Sequence, residues 1–150
     1  MKKLVTLVFM MFVLVASTSL LTSAKPDAMH TIEGTWELES FYTYGDGVNI
    51  TDTVPKADGY RQVKIYSKGH IMWTRYVPDE PNGRFGYGTY KITEDALVET
   101  IEYGDDQMMK ALDTMRVFAF QLKLDEDSFS QISYDEDNMR TFSENYRRID

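Results

Sequence analysis

The chain has 150 residues, a formal net charge of −8 and no cysteine. The charge argues against a nucleic-acid partner. The missing thiols exclude disulfides, thiolate catalysis, Cys-ligated zinc and a lipid-anchored cysteine. Ten Tyr, eight Phe and two Trp favour strands and a single core that must hold without cross-links.

Residues 1–24 read as a secretory signal peptide. Met1-Lys2-Lys3 is a basic start, 4–16 is apolar apart from Thr6, and Thr22-Ser23-Ala24 sets small residues at a cleavage site. A retained anchor is the rival, but polar Ser17, Thr18 and Ser19 interrupt the run near the ~20-residue length a span needs. The expectation is a chain with no stable membrane insertion after cleavage, placed in the periplasm or secreted. Residues 25–31 read as a tether, with Pro26 opposing regular structure.

The domain proper is expected over 32–150. Its first strand, 35–44, places Trp36, Leu38, Ser40, Tyr42 and Tyr44 on one parity. Gly34 removes a side chain where the backbone turns into that strand. The stretch 45–59 holds Gly45-Asp46-Gly47, Pro55 and Gly59 and little apolar material, and reads as a long surface loop able to gate a binding site. Strands 60–67 and 70–77 flank Lys68-Gly69, the pattern of a tight hairpin.

A strand follows over 84–93, with Gly86 and Gly88 on the parity of Tyr90, where glycine permits curvature or a close approach. Glu94-Asp95 turns into a strand over 96–103. Over 105–115 the period changes: Met108, Leu112 and Met115 share one helical face behind an Asp N-cap. Strands over 116–124, 128–134 and 139–148 complete the chain, separated by Asp125-Glu126-Asp127 and Asp135-Glu136-Asp137.

Eight strands joined mainly by short turns, with no βαβ rhythm, predict an all-β, eight-stranded antiparallel up-and-down barrel with one short helix. A two-sheet sandwich is disfavoured because the connections are hairpins.

Gly34-Thr35-Trp36 at the head of the first strand resembles the opening of lipocalin-like barrels. The runs His70-Ile71-Met72-Trp73-Thr74-Arg75-Tyr76, Gly86-x-Gly88-Thr89-Tyr90 and Glu99-Thr100-Ile101-Glu102-Tyr103 together resemble a bacterial family of secreted lipocalin-like, calycin-type domains of unassigned function. The resemblance spans about 32–148, departing at Ala96-Leu97, where a Tyr is expected. It implies a barrel in the cell envelope, and no activity. It also implies that a late basic residue, here Arg148, stacks on Trp36 at the barrel base, with Gly34 and Trp36 as structural partners. Tyr146 and Arg140 occupy last-strand positions that face the ligand in fatty-acid-binding relatives.

Catalysis has little support. His30 lies in the tether, no Gly-x-Ser-x-Gly exists, and an acid–base site would have to join Glu99 to His70 or Tyr90. The two acidic triplets are about 26 Å apart along an extended strand, too far to share an ion, and lack the glycine of a calcium loop. They read as solvated turns. No catalytic residue, metal or cofactor is expected.

The strand 70–77 is mixed, with Ile71, Trp73, Arg75 and Val77 on one side. If that side is interior, Arg75 needs an acidic partner. Glu99, on the parity of Leu97 and Ile101, is the nearest expectation. The reading is therefore a non-enzymatic barrel binding a small, mainly apolar ligand against Trp73, Tyr90, Phe118, Phe120 and Tyr146, with Arg75 and Glu99 orienting its polar end. The alternative is a ligand-free interaction module of the cell envelope with a filled core.

Overall fold

The computed structural model describes residues 30–94 and 96–150. The expected signal peptide, most of the tether and Asp95 of the Glu94-Asp95 turn lie outside them. Among the described residues, nine strands and one helix follow in order: β1 Gly34–Thr43, β2 Asp52–Pro55, β3 Arg61–Ser67, β4 His70–Tyr76, β5 Arg84–Thr93, β6 Ala96–Gly104, α1 Asp106–Leu112, β7 Val117–Leu124, β8 Ser128–Tyr134 and β9 Arg140–Arg148.

Strands β3 to β9 pair in chain order, and β1 pairs with both β3 and β9, so the sheet closes on itself. Closure removes the exposed edges of an open sheet. The barrel has the eight staves expected from the sequence. The ninth strand comes from the stretch 45–59. There β2 pairs with the Ser40–Thr43 half of β1, while β3 pairs with the Gly34–Glu37 half. One stave is thus made of two pieces separated by residues 56–60. All four residues of β2 are exposed, so no alternation of apolar side chains marks it in the sequence.

The local chemistry of the turns agrees with the fold. Lys68 and Gly69 both have positive φ, 48° and 81°, which matches the twist needed to connect β3 and β4 in two residues. Asp105 caps α1 by accepting hydrogen bonds from the backbone N–H groups of Gln107 and Met108 at 2.9 and 3.1 Å. The helix ends at Leu112, which is buried, and Met115 lies beyond it, exposed. The triplet at 135–137 is a turn held by its own first residue: Asp135 Oδ1 accepts from the N–H groups of Asp137 and Met139.

The base of the barrel is closed by the first and last strands. Trp36 is fully buried, packs edge-on to Phe129 at 5.0 Å and donates its indole N–H to the Ile32 carbonyl at 2.7 Å. Arg148, directly across from Trp36 in the β1–β9 register, lies 4.1 Å from the indole centroid. Its guanidinium also donates to the carbonyls of Thr31, Glu33 and Glu126. Gly34 makes room for this. Its φ is +139°, and a Cβ there would stand 2.2 Å from Arg148 Nη1. Leu38, Tyr66, Ile71, Leu97, Ile101 and Tyr146 fill the middle.

Candidate functional site

Beyond the packed base, the barrel interior turns polar and then opens. Strand β3 presents Gln62, Lys64 and Tyr66 inward and leaves Val63 and Ile65 outward. Lys64 is the centre of this layer. Its ammonium donates to Glu99 Oε1 and Oε2 at 2.8 and 3.1 Å and to Gln131 Oε1 at 2.6 Å, so its three protons are all taken. The Tyr66 hydroxyl donates to Glu99 Oε1. Gln131 also donates to Glu144 Oε2, which accepts from the Tyr146 hydroxyl as well, at 2.7 and 2.6 Å. Gln62 joins the layer by donating to Tyr146 and accepting from Tyr60. Paired and hydrogen-bonded in this way, a charge can be held away from water.

The layer is the floor of a cavity of about 180 Å³, open at one end. Trp73 and Arg75 of β4, Ile101 of β6, Met108 of α1 and Phe118 and Phe120 of β7 form its walls, with Gln62, Lys64, Glu99 and Glu144 at the polar side. The wall is shaped by a missing side chain: a Cβ on Gly86 would stand 2.4 Å from the Trp73 indole nitrogen, so glycine lets the ring lie flat across β5. The Trp73 side of β4 therefore faces the interior.

The positions singled out from the sequence divide between three places. Trp73, Arg75, Glu99, Phe118 and Phe120 meet at the cavity. Tyr146 lies in the core beneath it, 1% exposed and stacked on Phe129 at 4.6 Å, because its place across from Leu38 puts it in the packed middle of the barrel. Tyr90 lies toward the other end, packed on Tyr66, in a groove shared with Ile32, Ile92, Leu122 and Leu124. Arg140 packs over Tyr44, and its side chain donates to the Val48 carbonyl and to Gln121.

The expected Arg75–Glu99 pair is corrected: Glu99 takes Lys64 as its cation. Lys64 alternates with Val63 and Ile65 on a strand whose apolar residues face outward, so the hydrophobic pattern alone gives it no interior mark. Arg75 is left with a buried Nε that has no hydrogen-bond partner, beside the Tyr60 hydroxyl. An acid–base site joining Glu99 to His70 does not form, since His70 is on the outer face, stacked on Tyr87 at 5.8 Å.

Burial raises the Tyr66 and Tyr146 hydroxyls well above their ordinary value of 10.0, and the carboxylates beside them, Glu99 and Glu144, add to the effect. The fold therefore favours the neutral phenols. Their contribution is complete below about pH 10 and is lost as pH rises toward the folded-state values. Melting temperature followed upward from pH 8 is expected to hold and then fall above pH 10, with the ultraviolet signal of these two phenolates appearing together with unfolding. Early ionisation of all ten tyrosines in a folded barrel would contradict the placement.

No family model matches the sequence, and no curated protein matches it. Two solved structures are similar in shape. A lipocalin-like protein from Bacteroides uniformis ATCC 8492 aligns with 78% of this chain and 97% of its own, with a TM-score of 0.55 and 15% identity. An uncharacterized protein from Bacteroides eggerthii DSM 20697 aligns with 78% of this chain and 98% of its own, with a TM-score of 0.50 and 15% identity. A ring of antiparallel staves closed by β1 and β9, plugged by Trp36 and matched along nearly the whole of both structures, is a lipocalin-like fold.

Proposed function

We propose that this protein binds a small, mainly apolar ligand in the open half of its barrel, in the cell envelope or outside the cell. The observation that carries the reading is the cavity above a floor whose own polar groups already satisfy one another. A packed scaffold has no need of the space between Trp73, Met108, Phe118 and Phe120. The volume sets the scale of the guest. Dry cavities of about 150 Å³ take up benzene, whereas drug-sized ligands occupy about 300–1,000 Å³. A single ring or a short chain fits, and a long fatty acid would extend through the mouth. The N-terminal layout of residues 1–24 supports the location.

Only two tryptophans exist, and Trp36 is sealed in the base, so Trp73 reports on the cavity. Toluene, indole and short-chain alcohols are expected to change the emission of the purified domain saturably, and Trp73→Phe is expected to abolish the change. Absence of saturable binding across such a panel, measured also by calorimetry, would reject the reading.

One observation favours the second reading, an interaction module. Ile65, Met72, Tyr87 and Tyr103 stand directly opposite one another across β3, β4, β5 and β6 on the outer wall. Ile65, Met72 and Tyr103 are 41%, 39% and 50% exposed. Such a ladder suits contact with another surface.

A further inference from the structure

Resting on the cavity reading above, we infer that the ligand is a small monocarboxylic acid, its carboxylate taken by Arg75 and its apolar body laid against Trp73, Phe118 and Phe120. The four charged side chains around the cavity are not equivalent. Lys64 and Glu99 neutralise each other at 2.8 Å, with every Lys64 proton engaged. Glu144 spreads its charge over hydrogen bonds from Tyr146 and Gln131. Arg75 alone has a donor, Nε, removed from water with nothing to receive it, and no carboxylate among the described residues is within ion-pairing distance of its guanidinium. A buried donor without an acceptor is costly. The Arg75 side chain lines the cavity, and its planar guanidinium suits the two oxygens of a carboxylate held there.

The neighbours fix the charge of the guest. Tyr60 stands beside Arg75, its hydroxyl raised above the ordinary range chiefly by burial and its proton given to Gln62, so it brings no charge of its own to the site. Glu99 and Glu144 line the same cavity. A phosphate dianion would bring a second negative charge against these two carboxylates, whereas a monoanion offsets Arg75 and stops there. The cavity volume confines the body of the acid to about one ring.

The test uses phenylacetate, its neutral counterpart phenylacetamide and the cation phenethylamine, titrated into the purified domain by calorimetry and Trp73 emission. A charge-assisted hydrogen bond to a buried guanidinium corresponds to a preference of about 10- to 100-fold for phenylacetate over phenylacetamide. Arg75→Gln is expected to erase that preference, bringing phenylacetate affinity down to that of phenylacetamide. The comparison of the three ligands on the native protein stands even if the variant fails to fold. Equal binding of acid and amide, or preference for the amine, would overturn the carboxylate assignment and leave the cavity reading intact. No saturable binding of any of the three would overturn both.

Discussion

Lys64→Met is expected to cost the fold about 3–5 kcal/mol, measured as the loss of unfolding free energy in urea. The side chains of Lys64 and Glu99 are each only 5% exposed. Removing the ammonium leaves the Glu99 carboxylate with Tyr66 as its one remaining donor and strands the Gln131 carbonyl. The double variant Lys64→Met/Glu99→Leu is expected to recover much of the loss, because two apolar groups need no partners. If Lys64→Met unfolded at the native urea midpoint, the pair would not be the buried centre described above.

Trp36→Ala is the second large effect, expected at about 3–5 kcal/mol. The indole is wholly buried, and its loss opens a cavity beneath Phe129 and Arg148. It also leaves the Ile32 carbonyl without its donor and the Arg148 guanidinium without the ring beneath it. Trp36→Phe retains most of the volume and is expected to cost roughly half as much. Because the cavity lined by Trp73 and Arg75 lies at the other end of the barrel, Trp36→Phe should leave the proposed ligand's affinity nearly unchanged. A Trp36→Ala barrel as stable as the native one would show that the base is held by other contacts.

The architecture was legible because a strand that buries one face must alternate, and a hairpin must carry residues that tolerate positive φ. Trp36 and Leu38 announced the core by alternation, and Lys68-Gly69 announced a turn. Strand β2 escaped because Asp52, Thr53, Val54 and Pro55 bury nothing; its pairing is paid for by backbone hydrogen bonds to β1, which leave no trace in side-chain pattern. The site was half legible. Trp73, Arg75, Glu99, Phe118 and Phe120 share a cavity because residues of one parity on β4, β6 and β7 point to the same interior. Parity says nothing of height along the barrel. Tyr146 and Tyr90 have the right parity at the wrong level, one packed in the middle and one at the far end. Lys64 was missed for a different reason: charge is read as outward unless a partner is seen, and its partner lies 35 residues away on β6. The clue in the sequence was Gln62-x-Lys64-x-Tyr66, a polar side long enough to be a layer of its own beside Glu99.

The split stave has a mechanical consequence. Residues 56–60 join β2 to β3 at the rim where Tyr60 meets Arg75. The hydrogen-bond ladders that close the cylinder run through β1, β9 and the longer strands, and β2 is bonded to β1 alone. Opening the seam would therefore break the Lys56 N–H to Glu39 carbonyl bond and the Lys56–Glu37 ion pair and leave the ladders that close the cylinder intact.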